Sequence, residues 1–350
     1  MIRRPPRSTP SNSSAASDVY KRQDEYHDYD SMVEKINSFN QKYPSLVDLI
    51  RIGESVSGRD IWCIEITNEK NISQSKFSCL IDGCIHGNEW EAGESCLYLA
   101  EYLLINFGSN MSITHILNTS IVYIVPLVNP DGREDNTRWN SNGIDLNRNF
   151  DIDFGNLRGS SIRLGKLFGV VKIPYIRIPY YSVLYNCGRK PFSEPETQAM
   201  KGLIEMLKKQ GGFSFYVNCH TAVHNIITPW DAVKPPFEMK TQERKVFDAV
   251  KNWVAENTEY EKTPLRYRAS GTATDWCFKE CRIPCFTFEM LSRDYEPWIY
   301  AGKHDHLVHW MKTTLPVFMY LLVNIENLHN WQMPTIQPCL PDGVPPAPLH

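Results

Sequence analysis

Four apolar runs punctuate this chain, and three of them close on imidazole or carboxylate side chains. Phe77 to Ile85 leads into His86, with Glu89 three residues further on; Phe213 to Cys219 ends at His220; Pro284 to Met290 carries Glu289 near its close. The fourth run, Ile121 to Val128, stops at the turn-forming Asn129-Pro-Asp-Gly132. Short runs that are apolar on consecutive positions read as strands covered on both faces. Leu46 to Ile52 and Asp60 to Thr67 add two further strands around the turn at Gly53 to Arg59.

Between the runs the periodicity is helical. Tyr29 to Tyr43 places Met32, Ile36 and Phe39 on one face, and Glu91 to Ile105 buries Ala92, Cys96, Leu97, Leu99, Ala100 and Leu103. Ser193-x-x-Glu196, with Pro195 in the first turn, predicts a capping box opening a helix that runs to Lys209. Phe247 to Ala255 and His304 to Ile325 complete the helical set. Strands alternating with helices predict an α/β fold: a single domain on a mixed, mostly parallel twisted sheet with helices on both faces. Ligands in such sheets sit beyond the carboxyl ends of the strands, where His86, Glu89, His220 and Glu289 would gather.

Residues 1–23 are basic, rich in Ser and Pro and lack the continuous apolar stretch of a secretory signal; they read as an adapter-like, non-native leader, so the native N-terminus is expected to be missing. The catalytic unit is placed at 24–330, with a Pro-rich tail at 331–350. A net charge of -3 gives no reason to expect nucleic acid or an anionic membrane as partner. The longest apolar candidate, Leu315 to Val323, is far short of a membrane span and contains Pro316. Ten cysteines show no disulfide-framework spacing, and several sit in apolar runs as small buried hydrophobes.

Seven ordered motifs together resemble the zinc metallocarboxypeptidase family, of the carboxypeptidase A and B type, over residues 26–326. They are His86-Gly-Asn-Glu89, Asn129-Pro-Asp-Gly132, Asp145-Leu-Asn-Arg-Asn-Phe150, Pro191-Phe-Ser-Glu-Pro-Glu196, His220-Thr221, Tyr267-x-Ala-Ser-Gly271 and Phe286-Thr-Phe-Glu289. The resemblance implies a carboxypeptidase A-like fold and one Zn²⁺ per chain held by His86, Glu89 and His220, with water in the fourth position. It implies Glu289 as general base and Arg138 as oxyanion stabiliser. Asn147 and Arg148 would bind the substrate's terminal carboxylate, with Tyr267 closing over it, and Asp145 would orient a zinc histidine. The implied reaction is hydrolysis of the C-terminal peptide bond of peptides or proteins. The family also implies a monomer and favours a secreted, lumenal or vacuolar setting.

Side-chain preference is less determined. Asp231, in Thr228-Pro-Trp-Asp231, falls where members that remove Lys or Arg often carry an acid, whereas Thr274, at the pocket floor, is polar and uncharged and Lys262 would oppose a basic side chain. A lean to basic C-termini stands against a neutral or hydrophobic rival. Taken alone, Arg138 and Arg148 are more often surface salt-bridge partners and Tyr267 a half-buried packing residue; His224 reads as a structural neighbour of His220, and His304, Asp305, His306 and His309 as solvated or capping groups. Cys277, Cys281 and Cys285 lack the spacing of a common zinc knuckle and read as buried thiols or one disulfide.

Two stretches depart from the family. Residues 162–186 are apolar, basic and longer than expected, a lid or a translated intron, and Leu291 to Trp298 replaces a glycine-rich segment, with Trp298 as an apolar wall. Two other functions remain open: a catalytically inactive peptide-binding relative, and a deglutamylase or amidase of the same fold.

Overall fold

The computed structural model describes residues 26–71, 75–156, 186–221, 224–232, 234–258, 260, 269–290 and 304–338, with side chains from 314 onward in the last segment. The leader, the 162–186 insertion up to its last residue, Lys262, Tyr267, Trp298, Cys339 and the side chains of His304, Asp305, His306 and His309 lie outside the described residues.

Seven strands form one sheet: β1 Val47–Glu54, β2 Asp60–Ile66, β3 Phe77–Asp82, β4 Ser120–Val125, β5 Tyr216–Thr221, β6 Asn225–Ile227 and β7 Cys285–Met290. Their order is β1-β2-β4-β3-β5-β7-β6. The central four, β4-β3-β5-β7, are parallel, while β1, β2 and β6 add antiparallel margins. β5 is buried at every position, as expected of a strand covered on both faces, whereas β1 at the edge is buried only at Val47.

The described helices are α1 Tyr29–Lys42, α2 Trp90–Asn106, α3 Met111–Thr119, α4 Pro130–Glu134, α5 Pro195–Lys209, α6 Thr241–Asn257, α7 Ala273–Cys281, α8 His304–Val323 and α9 Ile325–His329. Both faces of the sheet are covered. Cys96 of α2 meets Cys219 of β5, while Cys277 of α7 lies toward Tyr216; positions 216 and 219 project to opposite faces because strand side chains alternate.

Helix α2 is buried nearly all round, more than its one apolar face predicts, and even Glu91, Glu94 and Glu101 are inside. Each acid has a partner: Tyr26 for Glu91, Lys35 for Glu101, and for Glu94 both Arg133 at 2.6 Å and the ring of His27 at 2.8 Å. Arg133, fully buried, also lies 4.1 Å above the Trp90 ring and donates to the His27 and Trp90 carbonyls. These pairs pin the chain's entry segment onto the central helix.

The capping box expected at Ser193 does not form. The helix begins after Glu194 with Pro195 in its first turn and no side-chain cap. The Ser193 hydroxyl is committed to Glu194 and accepts from Asn149, while Glu196 reaches away to the Val56 N–H. Tertiary partners outbid the local cap. Likewise Asn129-Pro-Asp-Gly132 is the start of α4, where the Asn129 side chain accepts from the Gly132 N–H at 2.9 Å. At the other end, Trp331 donates to the Arg282 carbonyl and Asn324 binds the backbone of Thr335 and Ile336, so the chain after α9 runs against the domain.

Removing Glu94 would leave Arg133 buried and uncompensated. Glu94→Ala is expected to destabilise the fold by roughly 3–5 kcal/mol in denaturant titration, with Glu91→Ala, which loses one hydroxyl contact, far milder. Equal effects would contradict this account of α2.

Candidate active site

At the carboxyl end of β3 the chain leaves the sheet through Cys84, which has positive φ, and turns at Gly87. A Cβ at Gly87 would lie 2.0 Å from the backbone of Gly132. The His-Gly-Asn-Glu turn and the Asn-Pro-Asp-Gly turn therefore pack backbone to backbone, which only glycine permits. His86 and Glu89 emerge on either side of this contact, Glu89 as the residue preceding α2. His220 arrives from β5, whose register with β7 sets it directly opposite Glu289.

Three side chains converge. Glu89 Oε1 lies 2.8 Å from His86 Nδ1, Glu89 Oε2 lies 2.8 Å from His220 Nδ1, and the two Nδ1 atoms are 3.1 Å apart. Among the described residues they are the one group of three metal-ligating side chains with ligand atoms all within 4.8 Å. Two imidazoles and a carboxylate are the donor set that suits zinc. The far sides of both rings are engaged as metal ligands require: His86 Nε2 meets Asp145 Oδ1 at 3.1 Å, and His220 Nε2 meets Asn218 Oδ1. An acceptor behind each Nε2 calls for a proton there and leaves the Nδ1 lone pair facing inward. The residues present fit a zinc ion.

Without an ion the charges of the cluster stabilise one another, the imidazoles holding protons toward the Glu89 carboxylate that a metal would displace. Burial alone would raise the Glu89 carboxyl, but the imidazoles of His86 and His220 outweigh it and hold the group well below the usual carboxylate range. Burial opposes ionisation of Asp145 too, yet Arg138, Arg148 and His86 together keep its pKa depressed. Burial tends to lower the His220 pKa, and the Glu89 carboxylate more than compensates, raising it. Glu289 is half-buried and goes the other way, pushed up to about 7 chiefly by desolvation and secondly by the Glu89 charge.

The remaining candidates are placed as follows. Arg138 donates from Nε to Asp145 Oδ2 at 2.9 Å and brings Nη1 within 3.5 Å of Glu89. Asn147 and Arg148 lie in a short 3-10 turn, Leu146–Arg148, which Asp145 caps by accepting from the Asn147 N–H. Arg148 Nη1 donates to the Asn147 carbonyl at 2.7 Å, and the Asn147 carboxamide spans from the Ala273 N–H at 2.8 Å to His220 Nε2 at 3.1 Å. Gly271 lets the next segment approach, since a Cβ there would meet the Arg148 carbonyl oxygen at 2.2 Å. Asp231 and Thr274 are both buried; Thr274 shares a 2.7 Å hydroxyl contact with Thr287. His224 stands apart from the cluster, its ring 4.7 Å from Tyr260. The nine described cysteines are free thiols, with Cys277 facing both Cys281 and Cys285.

Sequence reading missed three residues. Asn218 and Asp82 back His220 and are opposite each other across β3 and β5. Asp275 accepts from the Asp231 and Ala232 N–H groups at 3.0 and 2.7 Å, clamping the loop that carries Asp231. The signals were there: Asn218 is a polar residue inside a two-faced strand, two before His220, and Asp275 follows Thr274 directly.

The chain belongs to the zinc carboxypeptidase family, whose sequence profile matches residues 32–172 and 177–302. Rat carboxypeptidase A2 is 24% identical over 299 residues, covering 79% of this chain and 65% of that relative. Carboxypeptidase D of Drosophila melanogaster is 34% identical over 152 residues, 39% of this chain and 10% of the relative. The chain thus spans less than two thirds of the length of either. Among solved structures, carboxypeptidase A from Helicoverpa armigera has a TM-score of 0.66 at 18% identity, covering 89% of this chain and 78% of that one. Thrombin activatable fibrinolysis inhibitor has a TM-score of 0.65 at 20% identity, covering 90% and 80%. At these identities the likeness is one of fold. No helix among the described residues is long and apolar enough to cross a membrane.

Zinc titration should saturate near one ion per chain, and His220→Ala should abolish tight binding; unchanged stoichiometry in that variant would assign the ion elsewhere. A second expectation concerns Asp275, whose carboxyl burial pushes up to about 7 against the pull of its two N–H donors. A raised folded-state pKa means that its contribution is fully present below about pH 4 and is lost as pH rises through about 7. Asp275→Asn keeps an acceptor for both N–H groups and carries no charge. Its stability relative to wild type should therefore climb between pH 4 and 7, by at most about 1.4 kcal/mol per pH unit. Parallel stability curves in denaturant titrations across that range would refute the assignment.

Proposed function

We propose that this chain is a zinc-dependent exopeptidase that removes single residues from the C-termini of peptides or proteins. The observation that carries the reading is the convergence of His86 Nδ1, Glu89 and His220 Nδ1 with Glu289 in register beside them. His86, Glu89 and His220 would hold the ion, which supplies Lewis-acid polarisation and acidifies water when bound.

The rest of the reaction belongs to the chain's own side chains. Arg148 and Asn147 receive the terminal carboxylate; a guanidinium matches it bidentately, and an internal peptide bond would leave that cation without its anion. Arg138, held in place by Asp145, faces charge as it develops on the scissile carbonyl oxygen. Glu289 takes a proton from the attacking water and delivers it to the departing amine. A carboxyl whose pKa lies near neutrality both accepts and returns a proton readily. Tyr267 serves as the group that closes over the bound terminus. Asp231 tilts the preference toward Lys and Arg, its position set by Asp275.

The test is product analysis by mass spectrometry on peptides ending in Arg, Lys, Phe, Leu or Glu, with amidated controls. Chelator-sensitive loss of one residue from free termini alone is expected, fastest from Arg or Lys. Glu289→Gln should lower kcat by about 10²–10⁴-fold while the zinc stoichiometry stays at wild type. Near-normal turnover by that variant would remove Glu289 from the mechanism, and cleavage of amidated peptides would remove the carboxylate clamp.

A further inference from the structure

His220 is backed by a chain of polar groups that no exposed surface explains. On the inward face of β5, Tyr216, Asn218 and His220 alternate, and all three are buried. Asp82, on β3, is the register partner of Asn218 and is itself fully buried. The Tyr216 hydroxyl donates to Asp82 Oδ2 at 2.5 Å, and Asn218 Nδ2 donates to Asp82 Oδ1. An ionised carboxylate only accepts, so Asp82 dictates which end of the Asn218 carboxamide faces it. The NH₂ turns to Asp82 and the oxygen turns to His220 Nε2, 2.5 Å away.

A second carboxamide competes for the same ring atom. Asn147 has its oxygen fixed by the Ala273 N–H, which aims its NH₂ at His220 Nε2 from 3.1 Å. Nε2 cannot donate to Asn218 and accept from Asn147 at once. If it accepts, the ring proton sits on Nδ1 and blocks the position facing Glu89. If it donates, the neutral ring presents its Nδ1 lone pair to the site.

We propose that Asn218, oriented by Asp82, is the positioning residue that fixes the metal-ready tautomer of His220 against the competing Asn147 amide. Asp145 stands behind His86 by a direct carboxylate contact, whereas His220 is held by a relay through a neutral carboxamide. The inference rests on the zinc reading above, and it makes a demand on metal affinity that is separate from turnover.

The experiment measures zinc dissociation constants by competition with a chromophoric chelator, and d–d absorption of the Co²⁺-loaded protein, for wild type, Asn218→Leu, Asp82→Asn and the double variant Asp82→Asn/Asn218→Asp. Asn218→Leu removes the acceptor at similar volume and should weaken zinc binding about 10–100-fold with a shifted Co²⁺ spectrum. Asp82→Asn alone loosens the orientation and should weaken binding less. In the double variant the relay is rebuilt in reverse: one oxygen at 218 accepts from His220 Nε2–H and the other from the amide at 82, whose oxygen accepts from Tyr216. Affinity and spectrum should return toward wild type. Wild-type affinity in Asn218→Leu, or a double variant as weak as Asp82→Asn, overturns the proposal while leaving the zinc reading intact. A wild-type protein that binds no zinc overturns both. Should Asn218→Leu fail to fold, the double variant, which keeps an acceptor behind His220 and a partner for the Tyr216 hydroxyl, still decides the matter.

Discussion

Glu89 carries a charge into a site almost sealed from water, and much of the surrounding structure exists to keep it ionised. An isolated buried carboxylate would protonate before it tolerated such desolvation. Here it bridges two imidazoles, accepts the Thr221 N–H at 3.2 Å and faces the Arg138 guanidinium. Each partner is itself held by a further group: His86 and Arg138 by Asp145, His220 by Asn218. In this accounting of donors and acceptors around Glu89 a cation is the natural occupant of the centre. It also explains an oddity of α2. Glu89 stands where a helix-capping side chain would, yet its carboxylate makes no cap and points into the site.

The accounting depends on backbone segments approaching more closely than side chains normally allow. Gly87 lies against Gly132, and Gly271, at φ +72°, lies against the Arg148 carbonyl. The first contact sets the His86–Glu89 turn against the segment leading to Arg138. The second sets the Asn147–Arg148 turn against the start of α7, where Ala273 fixes the Asn147 carboxamide. His86, Glu89, Asn147 and Arg148 come from segments distant in sequence from one another and from His220 on β5, so their spacing is only as good as these contacts. Glycine at 87 is a matter of volume, and at 271 of both volume and a left-handed backbone.

Much of this was legible in the sequence, because long apolar runs on consecutive positions announce two-faced strands and their ends announce the site. Phe77–Asp82, Tyr216–Thr221 and Cys285–Met290 are strands, with His86, His220 and Glu289 where those runs led. What escaped were elements decided by tertiary context. α3 and α7, nine residues each, are short for a periodic signal and begin at caps, Asn110 and Thr272. β6 is three residues long and exists because β7 offers it an edge. The capping box at Ser193 failed for the converse reason: a local motif was overruled by Asn149, Glu194 and Val56. Acids on a buried helix such as α2 cannot be anticipated without their partners, and Arg133 and Lys35 lie about forty and about sixty-six residues away.

Strand register is what turns these separate signals into one site. β5 is read from both sides, by β3 with Asp82 opposite Asn218 and by β7 with Glu289 opposite His220. Because side chains alternate, a slip of one residue on either side would carry its group to the other face of the sheet. The same phase that puts His220 beside Glu289 therefore puts Asn218 beside Asp82, and a sequence able to assemble the first pair assembles the second with it. Val217 and Cys219, out of phase with these, go to the opposite face, where Cys219 meets Cys96 of α2. The apolar face of β5 thus holds the helix that follows Glu89, while its polar face supplies an imidazole and the group behind it. One strand secures the packing of the site and its chemistry together, which is why a buried polar residue two positions from His220 has a functional reading and not a merely structural one.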